Sequence, residues 1–132
     1  MFKRHIDGDR RVSQNLEKIS SIAQAVRAAL ERNEWNEVGR LVREEWDFRR
    51  RNLRTISTPL IDKVISSARR QGALAGKVCG AGGGGCVTLV IDPDARAGVE
   101  AAIAAAGAKL LPLQIDRGGV LLQSDAEGSS NR

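Results

Sequence analysis

Lys77-Val78-Cys79-Gly80-Ala81-Gly82-Gly83-Gly84-Gly85-Cys86-Val87-Thr88-Leu89-Val90-Ile91 decides how this chain is read. Five glycines fall within six positions, between two apolar runs. Glycine loses more conformational freedom on folding than any other residue, so such a cluster needs a reason. Two reasons fit. The backbone turns at positive φ in a tight, ligand-free hairpin, or another group approaches it closely. Successive N–H groups in such a loop form a concave anion site, most often for phosphate. Glycine content alone leaves both open. The P-loop pattern fails, because Gly85 is followed by Cys86-Val87 and not by Lys-Ser/Thr. The dinucleotide spacing Gly80-x-Gly82-x-x-Gly85 is present, but a β-branched run follows it where a helix is required.

Outward from the loop, Leu74 to Cys79 and Cys86 to Ile91 read as two strands of a hairpin. Asp92-Pro93 opens a helix with Val99, Ala102, Ile103 and Ala106 inward, ended by Gly107. Leu111, Leu113 and Ile115 alternate as a third strand. Asp116-Arg117-Gly118-Gly119 turns into a fourth, Val120-Leu121-Leu122. Upstream, Thr58 caps and Pro59 starts a helix whose buried face is Leu60, Ile61, Val64, Ile65 and Ala68, with Gly72 as its stop. Before it, a helix from about Glu34 to Leu53 places Trp35, Val38, Val42 and Trp46 on one face. The first helix carries Val12, Leu16, Ile19, Ala23, Val26 and Leu30. The fold class is therefore α+β: three N-terminal helices, then a β-β-α-β-β antiparallel sheet with helices packed on one face. Residues 1–10 read as irregular, 11–123 as one domain and 124–132 as a disordered tail.

Composition narrows the function. With 132 residues and 42% hydrophobic, the chain has enough apolar material for one aliphatic core. The net charge of +5 is mostly arginine, but the aromatic-interleaved basic stripe of a nucleic-acid module is absent. Arg49-Arg50-Arg51 and Arg54 follow Glu44-Glu45 and Asp47, which read as partly neutralising a solvated face. His5 is the single histidine, so no zinc pattern exists and no metal residues are expected. Cys79 and Cys86 read as two small buried thiols in a reduced, cytoplasmic protein, with no membrane partner.

The residues also carry a resemblance. Lys77 to Val90, around Gly80-Ala81-Gly82-Gly83-Gly84-Gly85, resembles the third motif of the GHMP small-molecule kinases. Glu45-Trp46-Asp47-Phe48-Arg49-Arg50, Ile56-Ser57-Thr58-Pro59-Leu60-Ile61-Asp62 and Gly72-Ala73-Leu74-Ala75-Gly76-Lys77 look like its heptose-phosphate kinase branch, which acts on sugars such as D-glycero-D-manno-heptose phosphate. The resemblance covers roughly residues 10–122 and implies the C-terminal domain of such an enzyme. It implies ATP and Mg as cofactors of the whole kinase, none bound tightly here, and a sugar or sugar phosphate as substrate. The N-terminal half, with its own ATP loop and catalytic groups, would be a partner. Gly80, Ala81, Gly82, Gly83, Gly84 and Gly85 would face the transferred phosphoryl group or the sugar phosphate, with no catalytic residue in this stretch. Lys77, Ser57 and Thr58 are accessory candidates, although Lys77 also reads as a solvent-pointing strand residue and Thr58 as a helix cap. The apolar faces of the first two helices suggest a homodimer. The alternative is a non-enzymatic anion- or partner-binding module.

Overall fold

The computed structural model describes residues 10–122. The tail expected over 124–132 and all of the expected irregular start except Arg10 lie outside the described residues. Arg10 already belongs to the first helix. The elements run α1 (Arg10–Glu31), α2 (Trp35–Asn52), a 3-10 turn (Arg54–Ile56), α3 (Pro59–Arg70), β1 (Ala73–Val78), β2 (Val87–Ile91), a second 3-10 turn (Pro93–Ala95) and α4 (Arg96–Ala105).

Helices α1 and α2 form a hairpin joined by a short turn in which Asn33 takes positive φ. Val12, Ile22 and Ala29 are the buried residues of α1. Ile22 and Ala29 turn inward where the sequence pointed to Ala23 and Leu30, both of which are exposed. At about 100° per residue the buried stripe slides about a quarter turn round α1 between Val12 and Ile22. Packed helices cross at an angle, so a stripe that follows its neighbour cannot stay parallel to the axis. Ile22 and Ala29 meet Val38 and Leu41 of α2. Farther along, Asn15 donates to Asn52 Oδ1 at 2.6 Å. Trp46 is buried as expected, whereas Trp35 and Leu60, in the first turns of α2 and α3, are about half exposed.

Helix α3 starts as its sequence dictates. Thr58 Oγ1 accepts from Ile61 N at 3.2 Å, and Pro59 occupies the first turn, where its missing N–H is no loss. Gly72, at φ +98°, follows its end. Strands β1 and β2 pair antiparallel from Val78↔Val87 through Lys77↔Thr88 and Gly76↔Leu89 to Ala75↔Val90, with an irregularity before Ala73↔Ile91. Both α2 and α3 pack on β1, and α4 packs on α3. A Cβ on Gly39 would lie 2.7 Å from Leu74 Cβ, so that glycine sets how closely α2 approaches the strand.

The α+β class stands, but the sheet has two strands among the described residues. The third and fourth strands expected at Leu111–Ile115 and Val120–Leu122 do not form, and those side chains are exposed. Alternation makes a strand only where a ladder partner and a buried face are both supplied. The cysteines also depart from expectation. Both are exposed and free, because they lie just past Val78↔Val87 at the mouth of the loop and not in the core.

Candidate phosphate-facing site

The glycine loop is a built turn. Cys79 N donates to Cys86 O at 2.9 Å and closes its neck. Gly80, Gly82, Gly83 and Gly85 all have positive φ. Two of them fix the loop to the 3-10 turn behind it. Gly83 N donates to Ile56 O at 2.9 Å. A Cβ on Gly82 would lie 2.2 Å from Ile56 Cγ1 and 2.8 Å from Ile56 O, so only glycine fits between loop and turn. Gly80, Gly84 and Gly85 have open space where a Cβ would stand. The sequence reading treated the six residues Gly80 to Gly85 as one surface. The fold divides them: Gly82 and Gly83 are anchors, and Gly83's amide is spent inward. Among the described residues, Gly83 is the loop amide between Gly80 and Gly85 that donates to a backbone carbonyl. The amides on the open side are the ones geometrically suited to an anion.

Lys77 does not point to solvent. Its Nζ lies 2.7 Å from Glu45 Oε2, and Glu45, buried in α2, also takes Arg49. This cross-link ties the strand leading into the loop to α2. A carboxylate with 8% of its side chain exposed is costly to bury without such partners. The expected neutralisation of the arginine run is thus divided. Glu45 takes Arg49, Glu44 takes Arg40 at 3.0 Å, and Arg51 sits 4.9 Å over the Phe48 ring. Ser57 Oγ donates to Asp62 Oδ1 at 2.7 Å, and Asp62 Oδ2 lies 3.5 Å from Arg50. Ser57 and Thr58 therefore serve the start of α3 in this arrangement. The loop, the 3-10 turn and the start of α3 form one connected unit.

Sequence reasoning passed over Arg43 and Arg69, and it placed Glu45 on a solvated face where the structure buries it between α2 and the strand. Glu45 had a signal, an acid four residues before Arg49, but its strand partner Lys77 lies 32 positions away. Arg43 donates to Leu74 O and caps the strand from the helix side. Among the described residues no group of three or more His, Cys, Asp or Glu is arranged to hold a metal ion. No helix there is long and apolar enough to cross a membrane.

A glycine turn thus stands docked on the 3-10 turn before α3, beside a helix-backed hairpin. Residues 26–109 match the family model described as GHMP kinases C terminal, and the chain belongs to that family. It is 34% identical over 68 residues to a mevalonate kinase of Thermococcus gammatolerans, and 35% identical over the same length to one of Pyrococcus furiosus. Each alignment takes 52% of this chain and 20% of the relative, so the chain matches about a fifth of their length. The fold is also that of the L. major mevalonate kinase crystallised with R-mevalonate, at TM-score 0.69 and 23% identity, over 79% of this chain and 32% of that one.

Proposed function

We propose that this chain forms the phosphoryl-facing C-terminal part of an ATP-dependent small-molecule kinase that phosphorylates a sugar or sugar phosphate. The observation that carries this is the anchored glycine loop, whose open-side amides are held in place by Gly82 and Gly83 against Ile56. Preorganised N–H groups stabilise charge on a transferred phosphoryl group without reorganising. Kinases of this family use ATP with magnesium. The open-side amides support a phosphate oxygen as their partner, while among the described residues no group of three or more His, Cys, Asp or Glu is arranged to hold a metal ion. Phosphoryl transfer needs nucleotide, metal and oriented hydroxyl assembled together. An N-terminal half is therefore part of the proposal, and this chain alone is expected to be inactive.

The sugar reading is supported by the stretches at 45–50, 56–62 and 72–77 that look like the heptose-phosphate branch. A second acceptor, mevalonate, is favoured by the named relatives. The test pairs this chain with the N-terminal half of a heptose-phosphate kinase and, separately, of a mevalonate kinase, and follows ADP release. Release is expected with the first pair and heptose phosphate, and background from this chain alone. Release solely with the second pair and mevalonate would overturn the sugar reading. No release from either pair, with phosphate still bound at the loop, would leave a non-enzymatic anion module.

A further inference from the structure

Helices α2 and α3 both lie on β1 and leave a groove of about 470 Å³ between them. Trp46 and Gly76 form part of its floor. Arg43 and Arg50 line it from α2, Lys63 and Arg69 from α3, and Asp47 and Asp62 are its two carboxylates. A second hollow shares Asp47 and Arg50 and adds Arg11, Arg51 and Arg54. The first groove alone holds four cations against two carboxylates. Cations so crowded repel one another, and the arrangement is most stable with a counter-anion.

The partners of these groups indicate which of them are available. Arg43 is committed to Leu74 O. Arg50 holds Asp62 from across the groove, at a loose 3.5 Å. Lys63 and Arg69 make no ion pair among the described residues. Asp47 has none there either, and it stands among the cations as a free acceptor. Arginine forks match the oxygens of a phosphate, a carboxylate accepts from a hydroxyl, and both kinds of group are here in one groove. The groove is also joined to the glycine loop, because Asp62 takes Ser57 and the adjacent Ile56 takes Gly83.

We propose that this groove is a subsite for the phosphate ester group of a small polyhydroxylated molecule, gripped by Arg50, Lys63 and Arg69, with Asp47 accepting from a hydroxyl. The assignment rests on the sugar-phosphate reading above and adds a place for the phosphate the molecule already carries. The test is a titration of the isotope-labelled chain by nuclear magnetic resonance with a hexose monophosphate, the same hexose without phosphate, and inorganic phosphate. The hexose monophosphate is expected to shift the arginine side-chain N–H signals and the amides of α2 and α3 along the groove, and the neutral hexose to leave them in place. Arg69→Gln, at an exposed position on the last turn of α3, is expected to weaken binding about tenfold with the amide spectrum otherwise unchanged. Unshifted groove signals, or unchanged affinity in Arg69→Gln, overturn the proposal. Shifts confined to Gly80–Gly85 also overturn it while leaving the kinase reading intact. Groove shifts without ADP release from either paired half keep the groove and sink the kinase reading. Equal affinity for inorganic phosphate overturns the part assigned to Asp47.

Discussion

The glycine loop and the stretch from Ala108 to Leu122 both lack regular structure, yet they differ in what holds them. The loop has a closed neck, an amide bond to Ile56, and a root strand tied to α2 by Lys77 and Glu45. Among the described residues the later stretch has one hydrogen bond after it leaves the end of α4, from Gly118 N to Asp116 Oδ1 at 2.7 Å. Its Leu113 is 84% exposed and its Leu122 is 94% exposed. The loop is glycine-rich and the stretch is apolar, so composition alone would rank them the other way. Irregular backbone is ordered by specific anchors, and alternation without a partner strand orders nothing.

The sharpest way to break this contrast is at Gly82. Valine there would meet Ile56 at both side chain and carbonyl, and would have to adopt φ +85°. Left-handed strain and overpacking together are expected to destabilise the chain by about 2–4 kcal/mol. Gly84→Ala, with no atom within 4 Å of its Cβ, is expected to stay within about 0.5 kcal/mol. Urea unfolding of the pair checks this. Equal midpoints would show that the loop is a permissive spacer and not an anchored turn.

A smaller effect is expected at the root of the loop. Glu45→Gln keeps the shape and removes the charge that Lys77 and Arg49 share. Each cation is about 30% exposed and regains water when released, so the loss is expected to be about 1–2 kcal/mol. A double-mutant cycle with Lys77→Met isolates the strand-to-helix tie. A coupling below about 0.5 kcal/mol would mean that Lys77 contributes nothing to holding the loop's root.

The same contrast marks how far the sequence was legible. Thr58-Pro59, Gly72 and the two runs beside the glycines each carry a local signal, and each produced its element where expected. The division of labour within the loop did not show, because Gly82 and Gly83 differ from Gly84 by contact with Ile56, some 26 residues upstream. Lys77 looked solvent-facing because strand periodicity says nothing about a carboxylate on a helix. The slide of the α1 stripe depends on a crossing angle, which one helix's sequence does not contain. Leu111, Leu113 and Ile115 had the pattern of a strand and lacked the neighbour.

That unpaired stretch is where the earlier expectation of self-association now falls. Val12, Ile22, Val38 and Trp46 are buried within the chain, while Leu30 and Trp35 on the same two helices are exposed. Leu111, Leu113, Ile115 and Val120 to Leu122 are exposed as well, over one continuous segment. Contiguous apolar surface of this kind is rare on soluble monomers, and unpaired backbone with alternating side chains readily adds to another chain. Self-association, where it occurs, is expected to involve this segment as well as the exposed side chains of α1 and α2. Leu113→Asp with Ile115→Asp is expected to change unfolding by no more than about 0.5 kcal/mol, since neither side chain is buried, while shifting the chain to a monomer. Light scattering at micromolar concentration reads the mass. A monomeric parent chain, or a double variant that still dimerises, would show that the segment's exposed side chains have no partner in a second copy. A large loss of stability in the double variant would show that these residues are packed in solution, and the contrast with the loop would fall.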